Sequence, residues 1–192
     1  MDTGGLFKVL SAIHPLSEDF KAAVEKELIP LSLHKNHILL QSPKISEHAY
    51  FLEKGFAMAY SFEEGRKITE AFWRSGQIMM SSNSFFEQVP AMEYIQLMEK
   101  SDLLCISYGG MQRMFEQYPE ANAIYRIIMN RHYAHSRGRV HDLQYLSAWQ
   151  RLEKLLNTFP DIEQLVPQDC IASYLGITPQ SLSRLKRQKG DS

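Results

Sequence analysis

The chain has 192 residues, 44% of them hydrophobic, and a formal net charge of −1, enough for one large domain or two small ones around a real core. No apolar run is long enough to span a bilayer, and the opening Met1-Asp2-Thr3-Gly4-Gly5 is too polar for a signal peptide. Cys105 and Cys170 stand far apart without a spacing motif, which argues against a disulfide framework and a Cys-based metal or iron–sulfur site; both are read as small buried apolar residues of a cytoplasmic protein. In chain order, residues 6–29 have helical spacing, broken at Pro15. Ser17 is the expected N-cap of a helix with Phe20, Ala23, Val24 and Leu28 on one face, and Pro30 is its expected stop. From about Leu33 the period changes. Short apolar segments at 37–41, 49–53, 56–62, 67–74, 77–80, 94–99 and 103–108 are separated by turn signals such as Lys54-Gly55, Glu63-Glu64-Gly65 and Ser75-Gly76. Residues 56–60 and 68–72 flank a Gly-containing turn, the pattern of a hairpin. Many short strands at regular spacing imply an antiparallel sandwich or barrel.

After Tyr108 the helical period returns. Met111, Met114 and Phe115 mark a short helix that ends near Pro119. Residues 120–146 then form one long proline-free stretch, with Gly138 as the expected place for a bend. Ile124, Ile128, Arg131 and His135 lie three or four apart along it, which offers a dimer seam or a face packed on the protein's own β-core. Ser147-Ala148-Trp149-Gln150 is a capping-box pattern that opens a helix with Leu152, Leu155, Leu156 and Phe159 inward. Pro160 ends that helix. The class is α+β.

The last thirty residues carry the most information. Ile171, Ala172 and Leu175 form one stripe, and small Ala172 allows a second helix to cross close by. Gly176 falls where a left-handed C-cap is needed. Thr178 is the N-cap of the next helix and Pro179 its first residue. Leu182 and Leu185 are its buried stripe, which leaves Gln180, Ser181, Ser183, Arg184 and Arg187 facing outward. Such a helix fits the DNA major groove; two small helices around a Gly turn also occur in all-α domains that never meet nucleic acid. Charge bears on the choice. Residues 126–192 hold ten Lys/Arg and six Asp/Glu, whereas residues 1–125 hold eleven and sixteen. A basic back behind an acidic front suits a polyanionic partner.

This order of elements, with the run from Ile171 to Leu185, resembles the Crp/Fnr family of bacterial transcription regulators over residues 17–189. The resemblance implies an antiparallel, jelly-roll-like β-roll of the cyclic-nucleotide-binding type over 1–119. A long dimerisation helix and hinge follow over 120–146, and a small winged-helix-type helix-turn-helix domain over 147–192. Double-stranded DNA and a second copy of the chain are the implied partners. RNA polymerase and a small-molecule effector of unnamed class stand beside them, with no cofactor and no membrane. Carried over by position, Pro179, Gln180 and Arg184 fall on base edges. Arg184 can donate two hydrogen bonds to guanine, Gln180 pairs with adenine or accepts from cytosine, and Pro179 departs from the family in having no donor. Ser181, Ser183, Lys186, Arg187 and Lys189 fall on phosphates, which set affinity rather than sequence; a solvated basic helix end is the plainer reading of the cations.

The effector segment departs further. In the family's nucleotide-binding members a Gly-Glu pair opens a phosphate cassette and an Arg-Ser/Thr pair closes it. Here Gly76-Gln77 opens it, Pro90-Ala91-Met92-Glu93 closes it, and no Lys or Arg occurs from Ser75 to Glu99. A phosphate buried there would lack a counter-charge, so the cassette reads as degenerate and unsuited to cyclic AMP or cyclic GMP. The amides around Ser81, Ser82 and Asn83 could form an anion nest. Met79, Met80, Phe85 and Phe86 would line a site for an apolar effector, or simply a core. His132 and His135 have ligand spacing on a helix without a completing carboxylate or thiol, so no metal site is assigned. No nucleophile elbow or phosphate-binding loop of the hydrolases is present, and the chain is not read as an enzyme. A ligand-binding β-roll acting through protein contacts, and a β-barrel metalloenzyme, remain as rivals.

Overall fold

A computed structural model describes the backbone of residues 3–190 and the side chains of residues 3–187. Two helices lead, α1 (Gly4–Ser11) and α2 (Glu18–Glu27). Ser17 caps α2 as its spacing requires, its hydroxyl accepting from the Phe20 amide at 3.2 Å. Eight strands follow among the described residues: β1 (Ile29–Leu33), β2 (Ile38–Leu40), β3 (His48–Lys54), β4 (Phe56–Glu63), β5 (Arg66–Arg74), β6 (Gln77–Met79), β7 (Tyr94–Leu97) and β8 (Ser101–Ser107). They pair antiparallel in two four-stranded sheets of order β1-β8-β3-β6 and β2-β7-β4-β5. This is the expected jelly-roll-like β-roll.

Two elements differ from the sequence reading. Pro30 does not merely stop a helix; it lies inside β1, opposite Leu104. β1 is an edge strand, where a residue without an amide hydrogen breaks no ladder. The region after Met80, taken as a break between strands, contains the short helix α3 (Ser82–Glu87), closed by Gln88 in the left-handed conformation at φ 52°.

Beyond β8 the described residues form helices only: α4 (Tyr108–Gln117), α5 (Pro119–Tyr145), α6 (Ala148–Thr158), α7 (Ile162–Leu165), α8 (Gln168–Tyr174) and α9 (Pro179–Gly190). The helix-turn-helix is therefore present, while the β-hairpin that a winged helix would add is not among the described residues. Helix α5 runs without a break through Gly138, the expected site of a bend. The chain turns instead at Leu146, where the backbone becomes extended. Ser147 and Gln150 form the full capping box of α6.

Three apolar clusters hold these layers. One fills the inside of the roll, from Leu52, Leu97 and Leu103. A second lies between the outer face of the β3–β8 sheet and α1, α2, α4 and the start of α5. The third joins the roll to the tail. Phe56, Met58, Tyr60 and Phe72 of β4 and β5 share it with Leu152, Phe159, Ile162, Ile171 and Leu182. Residues on both sides of Ser147 thus contribute to one core. Where the N-terminal helices meet α4, Arg113 donates to both Glu27 carboxylate oxygens, at 2.8 and 2.6 Å. That charge-assisted pair holds the Glu27 carboxyl below its ordinary range.

Candidate nucleic-acid interface

Helix α8 ends as its sequence dictates. Gly176 takes φ 66°, its amide donates to Ser173 O, and the Ile177 amide reaches back to Ala172 O, each at 3.0 Å. This pair of bonds is a Schellman C-cap, which a left-handed Gly closes without steric cost. A β-carbon at Gly176 would also stand 3.1 Å from Leu143 Cδ2, so the turn is packed against α5 as well. Helix α9 then starts on Thr178. Its Oγ1 accepts from the Ser181 amide at 3.1 Å, and its hydroxyl donates to Ser181 Oγ at 3.0 Å.

Burial sorts the side chains of α9. Leu182 is fully buried with Ile171, Ala172 and Leu175, whereas Leu185, the other residue of the expected stripe on this helix, is half-buried. Pro179, Gln180, Ser183, Arg184 and Arg187 are exposed. These include all three residues assigned to base edges. The phosphate set divides: Ser183 and Arg187 are open, Ser181 is half-buried in the cap, and Lys186 is half-buried and ion-paired to Glu163. The side chain of Lys189 lies outside the described residues.

The tail is also fastened to the rest of the protein. The Ser173 hydroxyl accepts from the Thr69 amide at 3.0 Å and donates to Lys67 O at 3.3 Å, which places α8 on β5, an edge strand of its sheet. Two guanidinium groups take the carbonyls at the end of α8. Arg139 of α5 donates to Tyr174 O at 2.9 Å and stacks 3.8 Å above the Tyr174 ring. Arg151 of α6 donates to Leu175 O at 2.9 Å and to Leu146 O at 2.6 Å. Cations belong at the negative end of a helix dipole. Sequence reasoning missed Ser173, Arg139 and Arg151 because their partners lie on other elements, 104, 35 and 24 residues away. Only the expected need of a helix end for cations could have pointed to the arginines.

The other assigned residues are placed as follows. The five effector candidates sit at two ends of β6. Gly76 is an exposed turn glycine at φ 86°, and Gln77 uses Oε1 to accept from the Arg74 amide at 2.9 Å. Past the other end, Ser81 is buried, with an Oγ that meets no hydrogen-bond partner among the described residues; Ser82 is half-buried and Asn83 exposed on α3. Of the seam residues, Ile124 takes the second of the two places its spacing allowed. It is 5% exposed inside the protomer's own core, because the first half of α5 covers the β-sheet, and Ile128 packs half-buried against the same cluster. Arg131 and His135 are exposed. The apolar residues that α5 leaves outside lie further along: Tyr133 at 66% exposure, Val140 at 54%, Leu143 and Tyr145. Burial, aided by neighbouring His135, lowers the affinity of His132 for a proton. Burial pushes both cysteine thiols up, as for inert core residues. Among the described residues no three His, Cys, Asp or Glu gather as metal ligands, and no helix is long and apolar enough to cross a membrane.

No protein-family model and no curated protein matches this sequence. Solved structures do match in fold. A protein from Eubacterium rectale assigned to the Crp/Fnr family of transcriptional regulators superposes with a TM-score of 0.73 at 17% identity, over 90% of this chain and 83% of that one. CLP, the c-di-GMP-responsive global regulator of Xanthomonas campestris, gives 0.71 at 14% identity over 91% and 93% of the two chains. The catabolite activator protein of Thermus thermophilus gives 0.60 at 13% identity over 95% and 87%. The chain has the fold of these Crp/Fnr-type regulators from the β-roll through the long helix to the helix-turn-helix.

Proposed function

We propose that this chain is a cytoplasmic, sequence-specific DNA-binding transcription regulator of the Crp/Fnr type that works as a homodimer. One observation carries the reading. Leu182 locks α9 into the tail core at 0% exposure, while Gln180, Ser183, Arg184 and Arg187 face solvent from the same helix. A helix held in this way presents side chains of fixed direction to a groove, and preorganised donors are what base recognition needs. Arg184 and Gln180 read base edges; Ser183, Arg187 and Lys189 hold phosphates. Pro179 contributes shape and no donor. Lys186 is the least available of the cations because Glu163 holds it.

The second half of α5 is the proposed seam. Tyr133 and Val140 stand one heptad apart and exposed, with Arg131 and His135 beside them. A dimer formed there must set its two α9 helices about 34 Å apart to enter successive major grooves. Cyclic AMP is not proposed as the effector, since residues 75–99 carry no cation for its phosphate. The protein is proposed to have no catalytic role.

Selection of bound sequences from random duplexes tests the reading, followed by titration of the selected site in rising salt. Affinity should fall steeply with salt. Arg184→Ala should cost about 1–3 kcal/mol at one base pair and relax the preference there. Arg187→Ala should weaken all duplexes alike and reduce the salt slope by about one. A protein that selects no sequence and binds no duplex would leave the β-roll acting through protein contacts.

A further inference from the structure

The core between the β-roll and the helices that cover it is not solid. A cavity of about 110 Å³ lies between the outer face of the β3–β8 sheet and α1, α2, α4 and α5. Leu10 of α1, Val24 of α2, Leu104 of β8, and Ala121 and Ile124 of α5 all line it. Apart from the phenols of Tyr50 and Tyr125, every lining side chain is hydrocarbon or thioether. Protein interiors are close-packed, and voids larger than a water molecule are few. Water gains nothing here, because an internal water needs two to four polar partners. The pocket is partly open to solvent, and an apolar occupant would gain the dispersion contacts that its lining otherwise lacks. Size bounds that occupant. An engineered apolar cavity of about 150 Å³ in another protein accepts benzene, and the space here suits a molecule of that order or smaller. No cation lines it, so the occupant is neutral.

The cavity is not the inside of the roll, whose own cluster of Leu52, Leu97 and Leu103 is separate. It nevertheless touches two informative elements. Phe86 of α3 reaches it from the cassette segment, its ring 4.7 Å from that of Tyr125. The first three turns of α5 form one of its walls, and further along the same unbroken helix Arg139 holds the end of α8.

We infer that this cavity is a binding site for a small neutral apolar molecule, of the class of benzene or a short alkyl group, and that its occupant braces the start of α5. The inference does not depend on DNA recognition, and its test uses none. Benzene is titrated into the full chain while thermal unfolding and amide hydrogen exchange are followed. The wild-type melting temperature should rise saturably by roughly 2–5 °C, and exchange should slow over residues 119–128. Ala121→Leu fills the space from α5, and Leu10→Phe fills it from α1. Each variant that folds should lose the response to benzene; two opposite walls keep the test usable if one substitution is not accommodated. No rise in the wild type up to the solubility of benzene, or an equal rise in a filled variant, overturns the site. A rise without slower exchange in α5 overturns the bracing.

Discussion

The helix-turn-helix and the segment from Ser75 to Glu99 use their polar groups in opposite ways. In the tail, Thr178, Ser181 and Ser173 are consumed by caps and by the strand edge they touch, and the remaining donors of α9 point outward from a helix pinned at Leu182. From Ser75 to Glu99 most of the hydrogen-bonded polar side chains brace the segment itself or the adjoining Ser46. Gln77 accepts from its own turn, and Ser84 donates to Val89 O at 2.6 Å while accepting from the Ser46 amide. Gln88 donates to Phe85 O at 2.7 Å. Both regions belong to the fold that the chain shares with the regulators it superposes on. Of the two, only the tail carries cations that a polyanion could meet: Arg184 and Arg187 are exposed, and residues 75–99 hold no Lys or Arg. Backbone shape follows from turns and apolar spacing, whereas recognition of a phosphate needs a cation at one place, so the two can part company.

This contrast can be broken most forcefully at Phe72. Its ring contacts Phe56, Phe159 and Tyr174 at centroid distances of 5.9, 6.0 and 4.8 Å, and so sits in the middle of the roll–tail core. Phe72→Ala should lower stability by about 3–5 kcal/mol in denaturant titrations, and the tail should melt ahead of the roll. A single unchanged transition would mean that the shared core does not hold the tail. A smaller effect comes from the bridge at the strand edge. Ser173→Ala removes the acceptor of the buried Thr69 amide and should cost about 1–3 kcal/mol. Amide exchange at Thr69 would report it directly.

Arg113→Ala probes a pair outside both regions and should act more weakly, with a defined pH dependence. Arg113 keeps the Glu27 carboxyl depressed, so the stability from this pair is present above the unfolded-state pKa, roughly 4.3. It is lost as pH falls through the lower folded value. Wild type and variant should therefore differ near neutrality and converge in acid; a gap that persists there would remove the ion pair as its cause. At the far end, cyclic AMP at millimolar concentration should leave the melting temperature unchanged. A saturable rise would show that the cassette binds nucleotide without its cations.

Much of the fold could be read from local pattern. Ser17, Ser147 with Gln150, Gly176 and Thr178 each cap the helix end where their spacing placed them. The strands from β2 to β8 stand within a few residues of their expected ranges. The rest shares a cause. Pro30 is tolerated only because β1 is an edge, which depends on sheet order. Ile124 is no miss but an open choice: its spacing is the same whether it faces a partner or its own sheet, and only packing decides between them.

Spacing along the chain determined which segments curl, which extend, where each stops, and which face of the last helix is basic, because caps and periodicity act over three or four residues. The assembled structure alone decided the core shared by roll and tail, the hold of Arg139 and Arg151 on α8, and the apolar pocket beside α5. Each of these depends on surfaces brought together across tens of residues, and no local preference encodes how closely such surfaces fit.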